Sequence, residues 1–109
     1  MALTHAAAAT PIDVRPFGDR LGAQLTTALF KSEHLQVVRV VLQAGERLAP
    51  HSVAGEITVQ CLEGRLELSA DDRILDLDAG QMAWLRARCM HGLTALSDAS
   101  ALVTIALRG

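Results

Sequence analysis

Residues 45–64 read GERLAPHSVAGEITVQCLEG and guide the interpretation of the rest of the chain. The stretch begins at Gly45, reaches a histidine at His51 and crosses a turn of small residues. A run rich in β-branched residues, 57–62, follows and ends at the turn Glu63-Gly64. β-Branched residues favour strands and glycines favour turns. The pattern therefore predicts strand, loop, strand, tight turn and strand, with one imidazole near the middle.

Composition excludes several classes of protein. A chain of 109 residues is expected to form one domain. Half of its residues are hydrophobic, but no apolar run approaches the roughly 20 residues that cross a bilayer. The first residues lack the charged and apolar regions of a secretory signal. A net charge of −2, with one Trp, two Phe and no Tyr, offers neither a basic patch nor stacking platforms, so we expect no nucleic-acid and no membrane partner.

The two cysteines indicate the compartment. Cys61 and Cys89 do not form the kind of disulfide framework that small secreted domains use. Cysteines of this kind are most often small buried hydrophobic residues. We therefore expect a cytoplasmic protein with both thiols reduced.

The N-terminal part of the chain divides into an arm and a folded domain. Residues 1–11 are rich in alanine and end at Thr10-Pro11, without an apolar stripe to bury, and residues 1–16 are predicted to form a loose arm. Residues 17–109 are predicted to form the single domain. Its segment Leu35 to Leu42 is rich in valine, with Arg39 as the only charge, which predicts a mostly buried strand.

The C-terminal half alternates between strand and turn patterns. Residues 66–69 and 75–78 alternate apolar and polar side chains on either side of a turn at Asp71-Asp72. The segment 101–107 is a last apolar strand. About eight short strands without a convincing helix predict an all-β sandwich or barrel.

The central stretch resembles the first motif of the cupin superfamily, Gly-x5-His-x-His-x3–4-Glu-x6-Gly. Gly45, His51 and Gly64 match this motif. The position of the second His is Val53, and that of the Glu is Ile57. The resemblance is to short single-domain cupins whose first motif lacks the second His.

A second segment extends the resemblance. The second cupin motif reads Gly-x5-Pro-x-Gly-x2-His-x3-Asn, and Gly80 and His91 have its spacing. Arg86, Arg88 and Ala95 replace its Pro, Gly and Asn. The two motifs together imply a cupin-type β-barrel, also described as a double-sheet jelly roll, with a ligand-binding pocket inside.

The resemblance also implies where a metal would bind. Metal-bearing cupins use two histidines and a Glu of the first motif and a His of the second, and only His51 and His91 carry over. Glu56, one residue before the family position, is a candidate third ligand, with Cys61 or water as alternatives. If an ion binds, neutral imidazoles favour Ni, Zn, Fe or Cu. The motif spacing predicts that the two imidazoles converge in one pocket.

The register of 57–62 decides what faces that pocket. If Gly64 sets the register, Ile57, Val59 and Cys61 point inward, which keeps an apolar lining. A one-residue bulge would instead bring Glu56, Thr58 and Gln60 inside. We favour the first register.

Several interpretations of these residues remain open. His51 and His91 are either hydrogen-bonded core histidines or the polar groups of a pocket that Val53, Cys61 and Arg86 also line. Arg86 and Arg88 are either solvated charges or contacts for an anionic ligand at the mouth of the barrel.

Three function classes follow from these alternatives. The one we favour is a barrel that binds a small molecule, with its metal site absent or degenerate. A metal-dependent enzyme with dioxygenase-like chemistry at His51 and His91 is the second. The third is a metal-free enzyme with one histidine as general base, although no triad of nucleophile, base and orienting residue can be identified.

The sequence also predicts an assembly state. Open sandwiches must cover their edge strands, and this chain has many apolar residues and few charges. Small cupins that resemble it commonly pair. We therefore expect a homodimer that uses the strand region Gln24 to Leu42.

Overall fold

The computed structural model describes residues 5–107, which form nine strands and one short 3-10 helix. The helix is Gly18–Ala23. The strands are β1 Thr27–Lys31, β2 Leu35–Leu42, β3 Arg47–His51, β4 Ile57–Glu63, β5 Arg65–Ala70, β6 Arg73–Asp78, β7 Met82–Leu85, β8 His91–Ala95 and β9 Ala99–Ala106. The bounds of β2 are those that its valine-rich sequence predicts.

The strands form two antiparallel sheets that face each other. The five-stranded sheet has the order β1-β2-β9-β4-β7, and the four-stranded sheet has the order β3-β8-β5-β6. The predicted hairpin at Asp71-Asp72 joins β5 to β6. The expectation of an all-β fold built from two antiparallel sheets is confirmed.

The register of β4 follows the turn at Gly64. Ile57, Val59 and Cys61 are only 3%, 1% and 0% exposed and lie in the core between the sheets. The favoured register is therefore correct, and the alternative that places Thr58 and Gln60 inside is wrong. A bulge does exist, but it lies between Cys61 and Glu63, where the pairing with β9 shifts.

Gly64 is required by the turn that closes β4. Its φ of +77° is in the left-handed region that favours glycine. A Cβ at this position would also collide with the carbonyl oxygen of Asp98. Backbone conformation and close approach therefore both require glycine here.

The N-terminal segment lies against the five-stranded sheet. Ala6 donates its backbone N–H to the carbonyl oxygen of Leu29 in β1 at 2.9 Å. Arg39, which points to the outer face of β2, donates to the carbonyl oxygen of Arg15 at 2.7 Å. Residues 5–16 therefore contact the domain at Ala6 and at Arg15, and the buried arginine has one of its acceptors there. Residues 1–4 of the predicted arm lie outside the described residues.

The single helix of residues 5–107 is too short to cross a membrane, and none of the described segments meets the criteria for a membrane-spanning helix.

Candidate functional site

A cavity of about 200 Å³ lies between the two sheets. Its walls are mostly branched aliphatic side chains from both sheets, and its polar side chains are two histidines and one threonine. The lining residues are Thr26, Val38, Val40, Leu48, His51, Val53, Ile57, Val59, His91, Gly92, Leu93, Val103 and Ile105. An apolar cavity with few polar groups is the usual form of a small-molecule site.

The two histidines meet because β3 pairs with β8. His51 ends β3, His91 begins β8, and they are opposite each other in the register. The pairing is irregular between Leu48 and His51, where β3 contains Pro50. A Cβ on Gly92 would lie 2.9 Å from the carbonyl oxygen of Leu48, so glycine allows this close approach. The glycine directly after His91 is a signal that sequence reasoning missed.

The ring geometry makes these residues a histidine pair. The centroids of the His51 and His91 rings are 4.5 Å apart, with the ring planes inclined by 52°. His91 is buried, and His51 is exposed at the open side. The motif spacing therefore brings both imidazoles to one cavity, as the sequence predicts.

Hydrogen bonding fixes one tautomer of the pair. Nδ1 of His91 lies 2.9 Å from the carbonyl oxygen of Cys89. A carbonyl can only accept, so Nδ1 carries the proton and Nε2 of the neutral ring has the free lone pair. Within residues 5–107, neither that Nε2 nor a ring nitrogen of His51 has a hydrogen-bond partner. The pair thus retains unused hydrogen-bonding capacity.

Of the other residues predicted for the pocket, Val53 lines the cavity and Cys61 does not. Cys61 is fully buried in the core near the turn that ends β4, where its thiol is within 3.4 Å of the carbonyl oxygens of Glu63 and Gly64. Burial raises the pKa of the Cys61 thiol. Cys61 is therefore part of the core and does not contact the space in the cavity.

Glu56 and Arg86 lie outside the cavity, around Trp84. The indole Nε1–H of Trp84 donates to Oε1 of Glu56 at 2.7 Å. The guanidinium carbon of Arg86 lies 5.8 Å from the centre of the Trp84 ring, which is a long cation–π distance. The structure therefore joins Glu56 and Arg86 to an exposed tryptophan and not to the histidine pair.

Arg88 also stays outside the cavity but supports its edge. Its backbone N–H donates to the carbonyl oxygen of Val53 at 2.9 Å, which ties the loop after β7 to the loop after β3. The φ of Arg88 is +67°, an unfavourable value for a residue with a side chain. This is the position at which the second motif has glycine, so the backbone conformation persists without the residue that favours it.

The donor set does not fit a metal held by protein ligands alone. Residues 5–107 contain no group of three or more His, Cys, Asp or Glu residues arranged to hold an ion. The histidine pair offers two nitrogens, whereas zinc sites in proteins have three or four protein ligands. Val53 and Ile57 place aliphatic groups at the positions of the two missing ligands.

Part of the aliphatic wall comes from residues outside the two motifs. Val38 and Val40 of β2 and Val103 and Ile105 of β9 line it, and Val38 is opposite Val103 in the register. Alternation along these strands identifies inward positions, but it does not indicate which inward positions leave a space.

The comparisons with known proteins identify the fold. No protein-family profile and no curated protein sequence matches this chain. Many solved structures do.

Three of these structures cover most of the chain. An RmlC-like cupin protein from Desulfovibrio desulfuricans is 27% identical with a TM-score of 0.76, covering 90% of this chain and 97% of its own. A conserved protein of unknown function from Streptococcus pyogenes is 21% identical with a TM-score of 0.76, and the match covers 100% of this chain and 99% of that protein. An RmlC-like cupin with a double-stranded β-helix fold from Methanocaldococcus jannaschii is 17% identical with a TM-score of 0.74, covering 89% and 92%. The chain therefore has the fold of small cupin proteins.

Proposed function

We propose that this protein binds a small molecule in the cavity between its sheets, with His51 and His91 as its polar contacts and without a metal held by protein ligands alone. One observation carries the proposal. Two adjacent imidazoles line a cavity whose other walls are almost entirely aliphatic, and within residues 5–107 Nδ1 of His91 is the one ring nitrogen of the pair with a hydrogen-bond partner.

The alternative of two hydrogen-bonded core histidines fits less well. Among residues 5–107, the only buried side-chain nitrogen or oxygen without a partner is Nε of Arg39, so the remaining ring nitrogens of the pair are accessible to a molecule from outside. His91 uses only Nδ1, and the described residues offer no acceptor or donor to the ring nitrogens of His51. A cavity of about 200 Å³ next to these nitrogens is also far larger than the volume of one water molecule, about 30 Å³. Together these features favour a ligand.

Ligand-observed NMR with a fragment library tests the proposal. Val103→Phe fills the cavity from β9, and binding of true ligands is expected to fall at least tenfold. Thr104→Phe is the matched control, because it is the next residue of the same strand and does not line the cavity. Fragments that bind both variants and the wild type equally, or a complete lack of binding fragments, would contradict the proposal.

A metal-dependent enzyme is the second candidate, favoured by the closeness of the two imidazoles. In this case water or substrate would have to complete the ligand set of a Ni, Zn, Fe or Cu ion. Elemental analysis of the purified protein distinguishes the two candidates. A stoichiometric transition metal that is lost in His51→Ala would favour the second.

The assembly state and the compartment remain predictions. β1 is an edge strand of the five-stranded sheet, which is consistent with a homodimer through the region Gln24 to Leu42. Light scattering at micromolar concentration measures the mass, and a monomer would contradict this prediction.

A further inference from the structure

We propose that the ligand is a compact, uncharged ring compound with one hydroxyl group, a phenol or a cyclic alcohol, whose O–H lies between the two imidazoles. This inference rests on the proposed function, because it names the class of molecule that the cavity binds.

The hydrogen-bonding pattern of the histidine pair selects a hydroxyl group. The neutral His91 ring can only accept at Nε2, because its Nδ1–H is already donated to Cys89. A neutral His51 ring has one N–H donor and one acceptor, both without partners among residues 5–107. A hydroxyl donates one hydrogen bond and accepts others. It can therefore donate to His91 while it accepts from His51.

The same surroundings disfavour a charged ligand. The lining residues include neither Lys or Arg nor Asp or Glu. A carboxylate would lose its hydration in an aliphatic cavity and face the lone pair of the His91 Nε2, which is costly without a partner of opposite charge. The one other polar side chain, Thr26, is already bonded, since its hydroxyl donates to the carbonyl oxygen of Val41 at 3.3 Å and accepts from its N–H at 2.9 Å.

The cavity volume selects a single ring. An engineered apolar cavity of about 150 Å³ binds benzene. The present cavity of about 200 Å³ has room for a six-membered ring with a hydroxyl group, and we expect a fused second ring to extend beyond it at the open side. Its walls contain aliphatic side chains and no Phe, Tyr or Trp, so it does not require an aromatic ligand.

Calorimetric titration with a set of matched probes tests the inference. The probes are phenol, cyclohexanol, benzene, benzoate and 1-naphthol, titrated into the full chain near pH 7.5. Phenol and cyclohexanol are expected to bind about tenfold tighter than benzene, since a net hydrogen bond contributes on the order of 1 kcal/mol. Benzoate and 1-naphthol are expected to bind at least tenfold more weakly than phenol.

Variants assign the preference to the histidine pair. His91→Phe keeps a ring but removes the acceptor, so the preference for phenol over benzene is expected to fall severalfold. His51→Leu, at an exposed position, provides a second variant in case the first does not fold, and it should reduce the preference severalfold. His34→Leu is the control, because His34 is exposed and does not line the cavity. It should leave the preference unchanged.

The outcomes separate this inference from the proposed function. If no probe binds the wild type, or if Val103→Phe binds the probes as tightly as the wild type does, the proposed function fails and the inference fails with it. If benzene binds as tightly as phenol, or benzoate binds more tightly, the cavity is a binding site but the hydroxyl assignment is overturned. An equal loss of the preference for phenol over benzene in His34→Leu and in His51→Leu would also overturn the hydroxyl assignment.

Discussion

Two polar clusters of this protein differ in how completely their hydrogen bonds are satisfied. The histidine pair faces the cavity with unused nitrogens. The second, which we call the Arg39 cluster, consists of Arg39, Glu63 and Ser100 together with Phe17 and the backbone of Arg15. It lies on the outer side of the five-stranded sheet.

Nearly all polar side-chain atoms of the Arg39 cluster have hydrogen-bond partners within the protein. Nη2 of Arg39 donates to Oε2 of Glu63 at 3.2 Å, and the hydroxyl of Ser100 donates to the same oxygen at 2.5 Å. The backbone N–H groups of Phe17 and Gly18 donate to Glu63 at 3.0 and 3.1 Å. The Phe17 ring also packs 3.7 Å from the guanidinium carbon of Arg39. Within residues 5–107, Nε of Arg39 is the only buried side-chain nitrogen or oxygen without a partner.

The contrast separates structural polar groups from functional ones. A buried charge is tolerated when its partners come from the protein itself, and the cluster then joins segments that are distant in sequence. The histidine pair makes no such connection beyond the bond to Cys89, and its free nitrogens can only be used by a molecule from outside. We therefore expect substitutions in the Arg39 cluster to affect stability and those in the histidine pair to affect binding.

The largest expected effect is the loss of stability in Arg39→Ala. Arg39 is 3% exposed, and its removal leaves the Glu63 carboxylate without its cation. Breaking a buried ion pair typically costs about 3 kcal/mol or more of the free energy of unfolding. Urea denaturation of the wild type and of Arg39→Ala measures this difference in the free energy of unfolding.

The control for this prediction comes from the histidine pair. His51→Leu should change the free energy of unfolding by less than about 1 kcal/mol, because the ring is exposed and has few partners. If Arg39→Ala and His51→Leu were equally destabilising, the distinction between the two clusters would be wrong.

Acid should weaken the Arg39 cluster selectively. Burial by itself raises the pKa of Glu63, but the hydrogen bonds from Ser100, Phe17 and Gly18, together with the charge of Arg39, outweigh it and lower this pKa. The ionised form therefore stabilises the fold. This contribution is fully present above the ordinary pKa of a glutamate, about 4.3, and is lost as the pH falls through the lower pKa of the folded state.

Stability measured against pH checks this prediction. Glu63→Gln should be less stable at neutral pH and show a shallower loss of stability below about pH 4.3. Glu67→Gln on β5 is the control, since it makes no contact with the cluster, and it should keep the slope of the wild type. An unchanged slope in Glu63→Gln would refute the role of this carboxylate.

The histidine pair should become a better metal site when a third imidazole is added. Val53 lines the cavity beside His51 and His91, so Val53→His places a further nitrogen ligand there. We expect the affinity for Zn or Ni to rise at least tenfold, because three-histidine sites hold such ions firmly. Calorimetry with the metal alone measures the change. A variant that adds His91→Phe should reverse it, and retention of the higher affinity would contradict the site.

The smallest expected effect concerns the strained backbone at the edge of the cavity. Arg88 has a φ of +67°, which glycine adopts without cost, so Arg88→Gly should increase the free energy of unfolding by about 0.5–1 kcal/mol. Arg86→Gly is the matched control and should be destabilising, because Arg86 lacks a positive φ. Thermal unfolding compares the two. Destabilisation of both variants to the same extent would mean that strain at Arg88 is not relieved.

The sequence by itself determined the strands, the turns and the meeting of the two histidines. The alternation of Ile57, Val59 and Cys61 fixed which side of β4 is buried, and the spacing of the two motifs placed His51 and His91 at one cavity. The strands and turns follow from local rules, whereas the meeting of His51 and His91 is what the resemblance to the two cupin motifs implied. Successive side chains of a strand point to opposite faces, and glycines permit the turns that end strands.

Only the tertiary structure decided which polar groups are satisfied and where space remains. The bulge before Glu63 turns its carboxylate toward Arg39 and Ser100, and Ser100 is 61 residues from Arg39 along the chain. In the same way, Glu56 is bonded to Trp84, which lies 28 residues further along. The physical reason is that hydrogen-bond partners and cavity walls come from strands paired far apart in sequence, whereas strand and turn preferences depend on neighbouring residues.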